Sequence, residues 1–465
     1  MVRVRVVQGS CWPCKKRRTR CDLAKPVCQR CLTTGAKCDY SAQLIRWSTR
    51  PSVRVNTPCV VPPLHHISGL GQDRLASTER RALDYFHGRV WPLLQTSEDP
   101  CPPPLPVALE HRVVLLATCV LAGSHHLLQG GRDRHGINAK RLECLAAIKS
   151  EVDGCCAGSR SGSLLILLFA VLLLHLHDGF MEPGVQGAST AIHGQGVAAI
   201  LVHLGGIDGV LRSAPESLQM LLSEFVSADL TTSLLQGTRP AYPPSIWHVI
   251  DQGAVWWGRD PRDRHSLAAV LREMSALAFY HHSLASGDVE LSMDEVRAFE
   301  EVLRPTYTPL AAAAAHSPDA TESEAETVRS VESSDDVEAV HAFALIRSFQ
   351  HTALIFLYRA VCGLPVAHPL VQQHVLSCLN CIFEIERPSK ALHCVIFPLC
   401  VAGAHAQSPR HRHLVLDMLE FIHGHMRFAS VRAVADVLGV LWESQTEDSS
   451  WVELFAGLGP HILVL

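Results

Sequence analysis

The sequence predicts a small cysteine-built module at the N-terminus, a linker, and a large all-α body. Three observations carry that expectation. Six cysteines fall within residues 11–38. Hydrophobic residues make up 48% of the 465-residue chain and charged residues 18%, a balance that favours a large buried core over disorder. From Ser77 onward, apolar residues recur at helical spacing in segments separated by Pro and Gly.

The cysteine stretch reads C-W-P-C-K-K-R-R-T-R-C-D-L-A-K-P-V-C-Q-R-C-L-T-T-G-A-K-C. It is one pattern, C-x2-C-x6-C, written twice. The first copy is Cys11, Cys14 and Cys21; the second is Cys28, Cys31 and Cys38. Nothing before Cys11 reads as a secretory signal, which argues against a disulfide framework. Metal thiolate ligation remains, and C-x2-C spacing is typical of zinc. One tetrahedral zinc uses four sulfurs and leaves two idle. Two zincs need eight ligand positions, which six sulfurs supply if two of them bridge. Between Cys14 and Cys21 stand Lys15, Lys16, Arg17, Arg18 and Arg20. On a metal-held helix such a run presents cations to phosphates, and Arg forks suit guanine N7 and O6. It could also serve nuclear import.

With this spacing the sequence resembles the fungal six-cysteine binuclear zinc cluster family of transcription factors. The resemblance implies two zinc ions per chain and two short helices around the cluster, one after each C-x2-C pair. It implies that Cys11 and Cys28 bridge the metals, with Cys14 and Cys21 completing one tetrahedron and Cys31 and Cys38 the other. It also implies double-stranded DNA as partner: the first helix enters the major groove and reads a CGG-like triplet. Arg17 and Arg18 match the base-contacting pair, and the other cations mostly hold phosphates. Lys25-Pro26 matches the family's loop proline.

Charge is distributed to suit such a head. Residues 1–54 carry 13 Lys+Arg and 2 Asp+Glu, whereas the rest carries 28 and 43, under a net charge of only -4. A basic head on an acidic body is the footprint of a nucleic-acid-binding arm. We divide the chain into the cluster domain at 8–41, a Pro-rich linker at 42–75 and an all-helical domain at 76–465. Relatives of this kind often carry a heptad coiled coil directly after the cluster. None is visible here, since Leu44, Ile45 and Trp47 do not extend into repeated positions. Pairing of two chains would then rest on the body.

In the body, Ser77 or Thr78 is placed to cap a helix that Pro92 ends. Residues 109–128 read as a buried helix, and 137–153 as an amphipathic one. Residues 164–174 are the most apolar run. At 11 residues they are shorter than the roughly 20 a bilayer crossing needs, so a buried core helix is expected and no membrane partner. His175, His177 and Asp178 follow but do not face one way as a metal site would. The helix at 193–206 closes on Gly205 and Gly206. The stretch A-L-D-Y-F-H, this Gly-Gly terminus and H-C-V-I-F-P-L-C-V-A-G-A at 393–404 resemble the fungal-specific regulatory domain found downstream of such clusters, an all-helical domain.

Trp256 and Trp257 are expected inward and Arg259 and Arg262 outward in their loop. Residues 308–338 hold eight acids and one Arg without an aromatic residue in their acidic part, and predict an exposed mobile loop. Cys378 and Cys381 form a further C-x2-C, read as a buried helix face. The tail carries Trp451, Leu454 and Phe455 and ends in H-I-L-V-L, which predicts docking on the core.

No catalytic residue is assigned. The chain has no P-loop, no G-x-G-x-x-G, no H-E-x-x-H and no G-x-S-x-G, so it is not read as an enzyme. The expectation is a nuclear regulator of RNA polymerase II genes, with control of fungal metabolism or a biosynthetic gene cluster implied by the resemblance. Its further partners would be transcription machinery or co-regulators, a second copy, and a small-molecule effector. The rival readings are a partner-binding co-regulator and a metabolic enzyme, each with a purely structural zinc head.

Overall fold

The computed structural model describes Cys11, Cys14, Arg17 and residues 19–25, 27–36 and 38, then 75–96, 101–156, 161–184, 190–253, 257, 266–305, 334–444, 449–458 and 462–464. The chain divides into two compact units, Met1–Val61 and Pro62–Leu465. Among the described residues there is no strand.

In the first unit Cys14 lies in a helical turn, and the second C-x2-C pair opens helix α1, Gln29–Thr33. The helix starts where it does for two local reasons. Cys28 is the N-cap and its sulfur accepts from the Cys31 amide. The Asp22 carboxylate accepts from the Gln29 amide at 3.1 and 3.2 Å, which places a negative charge at the helix N-terminus. The helix stops at Gly35, whose φ of 63° closes the last turn, and the Ala36 amide returns to the Cys31 carbonyl.

The body opens with α2, Ser77–Tyr85. Its cap is neither Ser77 nor Thr78. Glu79 reaches back to the Ala76 amide at 3.2 Å, and that carboxylate also pairs with Arg112 and Lys140. The chain continues through a π-turn, Phe86–Val90, into Trp91–Leu93. The helix ends at Leu93, one residue past Pro92, which sits in the short turn after the widened one, where a missing N–H is tolerated.

Then come α3 (Arg112–Leu128), α4 (Arg134–Cys156), α5 (Ser161–Leu176) and α6 (Thr190–His203). Helix α3 packs on both α4 and α5, and α5 packs on α6. The α3–α4 contact is close because Gly123 has no side chain: a Cβ there would meet Ile137 at 2.9 Å. Helix α6 ends before Gly205 and Gly206, both at positive φ, with the Gly206 amide returning to the Leu201 carbonyl at 2.8 Å.

Helix α7 (Glu216–Gln236) is buried along nearly its whole length. The second half is built on α8 (Leu267–Ala285), α9 (Ser334–Phe356), α10 (Pro369–Glu384), α11 (Ile396–Ala404), α12 (Pro409–Met426) and α13 (Ala429–Ser444). Helix α9 lies along α10, and both contact α11. It begins at Ser334, five residues inside the segment expected to be a loop. Residues 306–333 lie outside the described residues.

The closing helix α14, Trp451–Phe455, docks as expected: Trp451 Nε1 donates to the Leu234 carbonyl at 2.7 Å, and Leu463 and Val464 are buried. Cys378 and Cys381 are both buried on α10. Trp257 is buried, while Trp256, Arg259 and Arg262 lie outside the described residues.

The apolar run is longer than its composition indicated. Residues Leu164–Met181 form 18 continuous helical residues, and Ala339–Val361 another 23; both are long and apolar enough to cross a membrane. In each, 83% of the segment is buried inside the body. Burial against neighbouring helices, rather than insufficient length, is the physical reason for reading them as core.

Candidate metal centre and nucleic-acid interface

The two C-x2-C pairs bring the six thiols together. The sulfurs of Cys11, Cys14, Cys21 and Cys28 all lie within 4.8 Å of one another, and so do those of Cys11, Cys28, Cys31 and Cys38. Cys11 and Cys28 belong to both groups. Cys11 lies 3.6 Å from Cys28 and from Cys31; Cys14 lies 3.7 Å from Cys28, and Cys21 lies 3.9 Å from Cys11.

Those separations discriminate between chemistries. A disulfide would hold two sulfurs at about 2.05 Å, and all six thiols are free. Sulfurs at the corners of a tetrahedron with zinc–thiolate bonds of about 2.3 Å stand about 3.8 Å apart. The cluster has that spacing, and Cys11, Cys14, Cys21, Cys28 and Cys31 are buried while Cys38 is partly exposed. Burial raises the Cys14 thiol and pushes Cys31 up to about 12, whereas the Cys28 amide, 3.4 Å from the Cys38 sulfur, lowers Cys38. A metal would replace the protons that burial otherwise holds on Cys11, Cys14 and Cys31. The residues present therefore fit a zinc–thiolate cluster. Among the described residues no other group of His, Cys, Asp and Glu is close enough to hold an ion.

Of the five cations between Cys14 and Cys21, Arg17 and Arg20 are described and both are exposed; Lys15, Lys16 and Arg18 lie outside the described residues. Arg17 Nη1 donates to Thr34 Oγ1 at 3.0 Å, and that hydroxyl donates to the Arg30 carbonyl at 2.7 Å. The bond ties the basic segment of the first half to the end of α1 in the second. Sequence reading passed over Thr34 and Asp22. Asp22 was visible as an acid ahead of a helix start; the Arg17–Thr34 contact, 17 residues apart, had no local signal.

In the body, sequence reading also missed a polar chain. Ser124 Oγ lies 2.9 Å from His177 Nε2, and His177 Nδ1 lies 2.8 Å from Asp178 Oδ1. The order is that of a hydrolase triad. Ser124 is 4% exposed and His177 0%, so the hydroxyl is closed to a substrate. The Asp178 carboxylate also meets Arg141 at 2.8 Å and His193 at 3.3 Å. Burial acts to raise it, but these partners outweigh burial and hold it well below the usual carboxylate range. The chain thus joins α3, α4, α5 and α6 around one buried charge.

Elsewhere Glu224 and His393 face a cavity of about 20 Å³ lined by Leu93, Leu94 and Phe428 among others, room for about one water. His393 Nδ1 donates to the Gln95 carbonyl, leaving Nε2 as an acceptor without a hydrogen-bond partner; the Glu224 carboxyl oxygen Oε2 likewise has none.

Residues 9–47 match the family model of the fungal Zn(2)-Cys(6) binuclear cluster domain, which implies zinc, and residues 81–465 match that of the fungal specific transcription factor domain. No curated protein and no solved structure matched in the corresponding comparisons.

Proposed function

The chain belongs to the fungal specific transcription factor family, a DNA-binding transcription regulator with a zinc cluster head, and from that premise we propose that it is a nuclear regulator of RNA polymerase II genes that reads CGG-like triplets. The observation that carries the reading is the pair of four-sulfur groups sharing Cys11 and Cys28. In this reading two zinc ions would be held by the head's six thiols, Cys14 and Cys21 serving one site, Cys31 and Cys38 the other, and Cys11 and Cys28 both. Zinc would supply a rigid scaffold for a segment too short to bury a core of its own.

The scaffold presents Lys15, Lys16, Arg17, Arg18 and Arg20 on one short segment. Arg17 and Arg18 are assigned to guanine edges in the major groove, and Lys15, Lys16 and Arg20 to phosphates. Arg17 is braced on Thr34, which ties its guanidinium to the second half of the head. Phosphate contacts make the affinity salt-dependent. The helical body conveys the regulatory input, from a co-regulator or a metabolite, and the targets are genes of fungal metabolism or a biosynthetic cluster.

Arg18→Ala tests the reading. Competition binding with the full chain should show a loss of about 1–3 kcal/mol on the preferred triplet and a much smaller loss on scrambled DNA. Equal losses on both would remove Arg18 from base reading.

A further inference from the structure

The fold buries Glu224 and His393 against one cavity and leaves an atom of each unpaired. Both residues are more than nine-tenths buried, and neither Glu224 Oε2 nor His393 Nε2 has a hydrogen-bond partner. They come from distant parts of the body, the middle of α7 and the turn Lys390–Cys394. His393 Nδ1 donates to the Gln95 carbonyl at 3.1 Å, so Nε2 presents a lone pair. Buried polar groups rarely go unpaired. Two of them lining one cavity point to an occupant.

The cavity limits that occupant by size and by charge. At about 20 Å³ it admits one water-sized species. Its apolar walls include Leu93, Ile396 and Met426, and the rings of Phe180 and Phe428, which stack at 5.0 Å. Among the described residues no Lys or Arg lines it. Glu224 therefore has no cation on the lining to balance its ionised form, and burial pushes its carboxyl up to about 8. The other titratable group on the lining is the Cys394 thiol, which burial keeps protonated. His425 stacks on His393, and Arg89 is engaged with the His425 carbonyl.

We propose that this cavity binds an ammonium ion, which pairs with the Glu224 carboxylate, donates to His393 Nε2 and lies against the rings of Phe180 and Phe428. The ion is close to water in size. It carries the missing charge, donates in four directions and tolerates aromatic rings as neighbours. Potassium is of similar size but needs a shell of oxygens, which these walls do not supply. Burying a cation is costly unless an anion is buried with it, and Glu224 is that anion. Its proton leaves to solvent as the ion enters. A second cavity of about 10 Å³ shares His393 and Met426 with the first and is lined further out by Pro388, Phe421 and His425. A rotamer change of the flexible Met426 side chain would join the two and give the ion a way in. The site gives a chemical class to the metabolite input assigned to the body above, and rests on that reading only for its regulatory consequence.

Thermal unfolding of the full zinc-loaded chain without DNA tests it, in ammonium chloride against potassium chloride and sodium chloride at equal ionic strength. Ammonium should raise the body's midpoint along a saturating curve, and potassium and sodium should not. The half-saturating ammonium concentration should fall about tenfold from pH 6 to pH 7, because one proton leaves Glu224 for each ion bound. Glu224→Gln should abolish the ammonium-specific rise, while its midpoint in ammonium-free buffer stays at or above that of the wild type. His393→Asn can keep the bond to the Gln95 carbonyl but lacks Nε2, and should raise the half-saturating concentration about tenfold or more. Glu224→Gln carries the test should His393→Asn fold poorly. Equal midpoints in ammonium and potassium overturn the proposal and leave the cavity to a water molecule. So does an ammonium response that survives Glu224→Gln, or one that does not change with pH. No arm reads DNA, so a head that failed to recognise the triplet would leave the result standing.

Discussion

Glu224 and Asp178 show how burial sets the behaviour of single residues in opposite directions. Glu224 is buried in α7, and burial pushes its carboxyl up to about 8 from an ordinary 4.5. The unfolded chain ionises this group near pH 4.5, while the folded chain keeps it protonated. The unfolded state thus binds fewer protons between those values, and stability falls as pH rises from about 4.5 through about 8. Glu224→Gln keeps the shape and removes the titration. It should flatten the thermal midpoint against pH over that window and raise stability at pH 7 by up to about 3 kcal/mol. Asp178 has the opposite sign: its paired carboxylate contributes at neutral pH and loses that contribution as pH falls toward its depressed value. Neither was legible beforehand. Glu224 stands in L-L-S-E-F-V, and only the packing of other helices on every side distinguishes it from a solvated helix acid. The six cysteines were legible, because ligation depends on residue type and short spacing.

At the scale of elements, local chemistry governed the starts and stops that the sequence could express. Helix α1 depends on the Asp22 carboxylate that accepts from its first amide. Asp22→Ala should cost about 0.5–2 kcal/mol of local helix stability, which chelator competition would read as a zinc affinity about 2- to 30-fold weaker in the head. An unchanged affinity would mean that the thiolates hold the helix without the cap. Other elements departed from their local signals because tertiary partners intervened. Glu79 took over the cap of α2, since its carboxylate also meets Arg112 and Lys140. The π-turn carried the chain past Pro92. Helix α5 ran on into His177–Met181 because Asp178 found three cationic or imidazole partners in the interior.

At the scale of the molecule, the two units hold themselves together by different means. The head has sulfurs in place of a core, whereas the body buries a continuous apolar cluster from Leu83 to Val464. Stripping zinc with a chelator should abolish DNA binding and unfold the head, yet leave the body's thermal transition where it was. Cys28→Ala should act similarly, with both ions lost together if Cys28 bridges them; metal content and a melting curve on the same sample check both statements. A body transition that moved with zinc would show that the units share stability.

The sequence by itself determined the character of the head, its metal chemistry, its positive charge and the helical class of the body. Those properties reside in composition, in the spacing of six thiols and in the 3.6-residue period, all of which are local. Only the tertiary structure decided that Arg17 leans on Thr34 and that Ser124, His177 and Asp178 form a sealed chain. Each of those depends on which distant residues share a volume, and a pattern read within one helix carries no record of its neighbours.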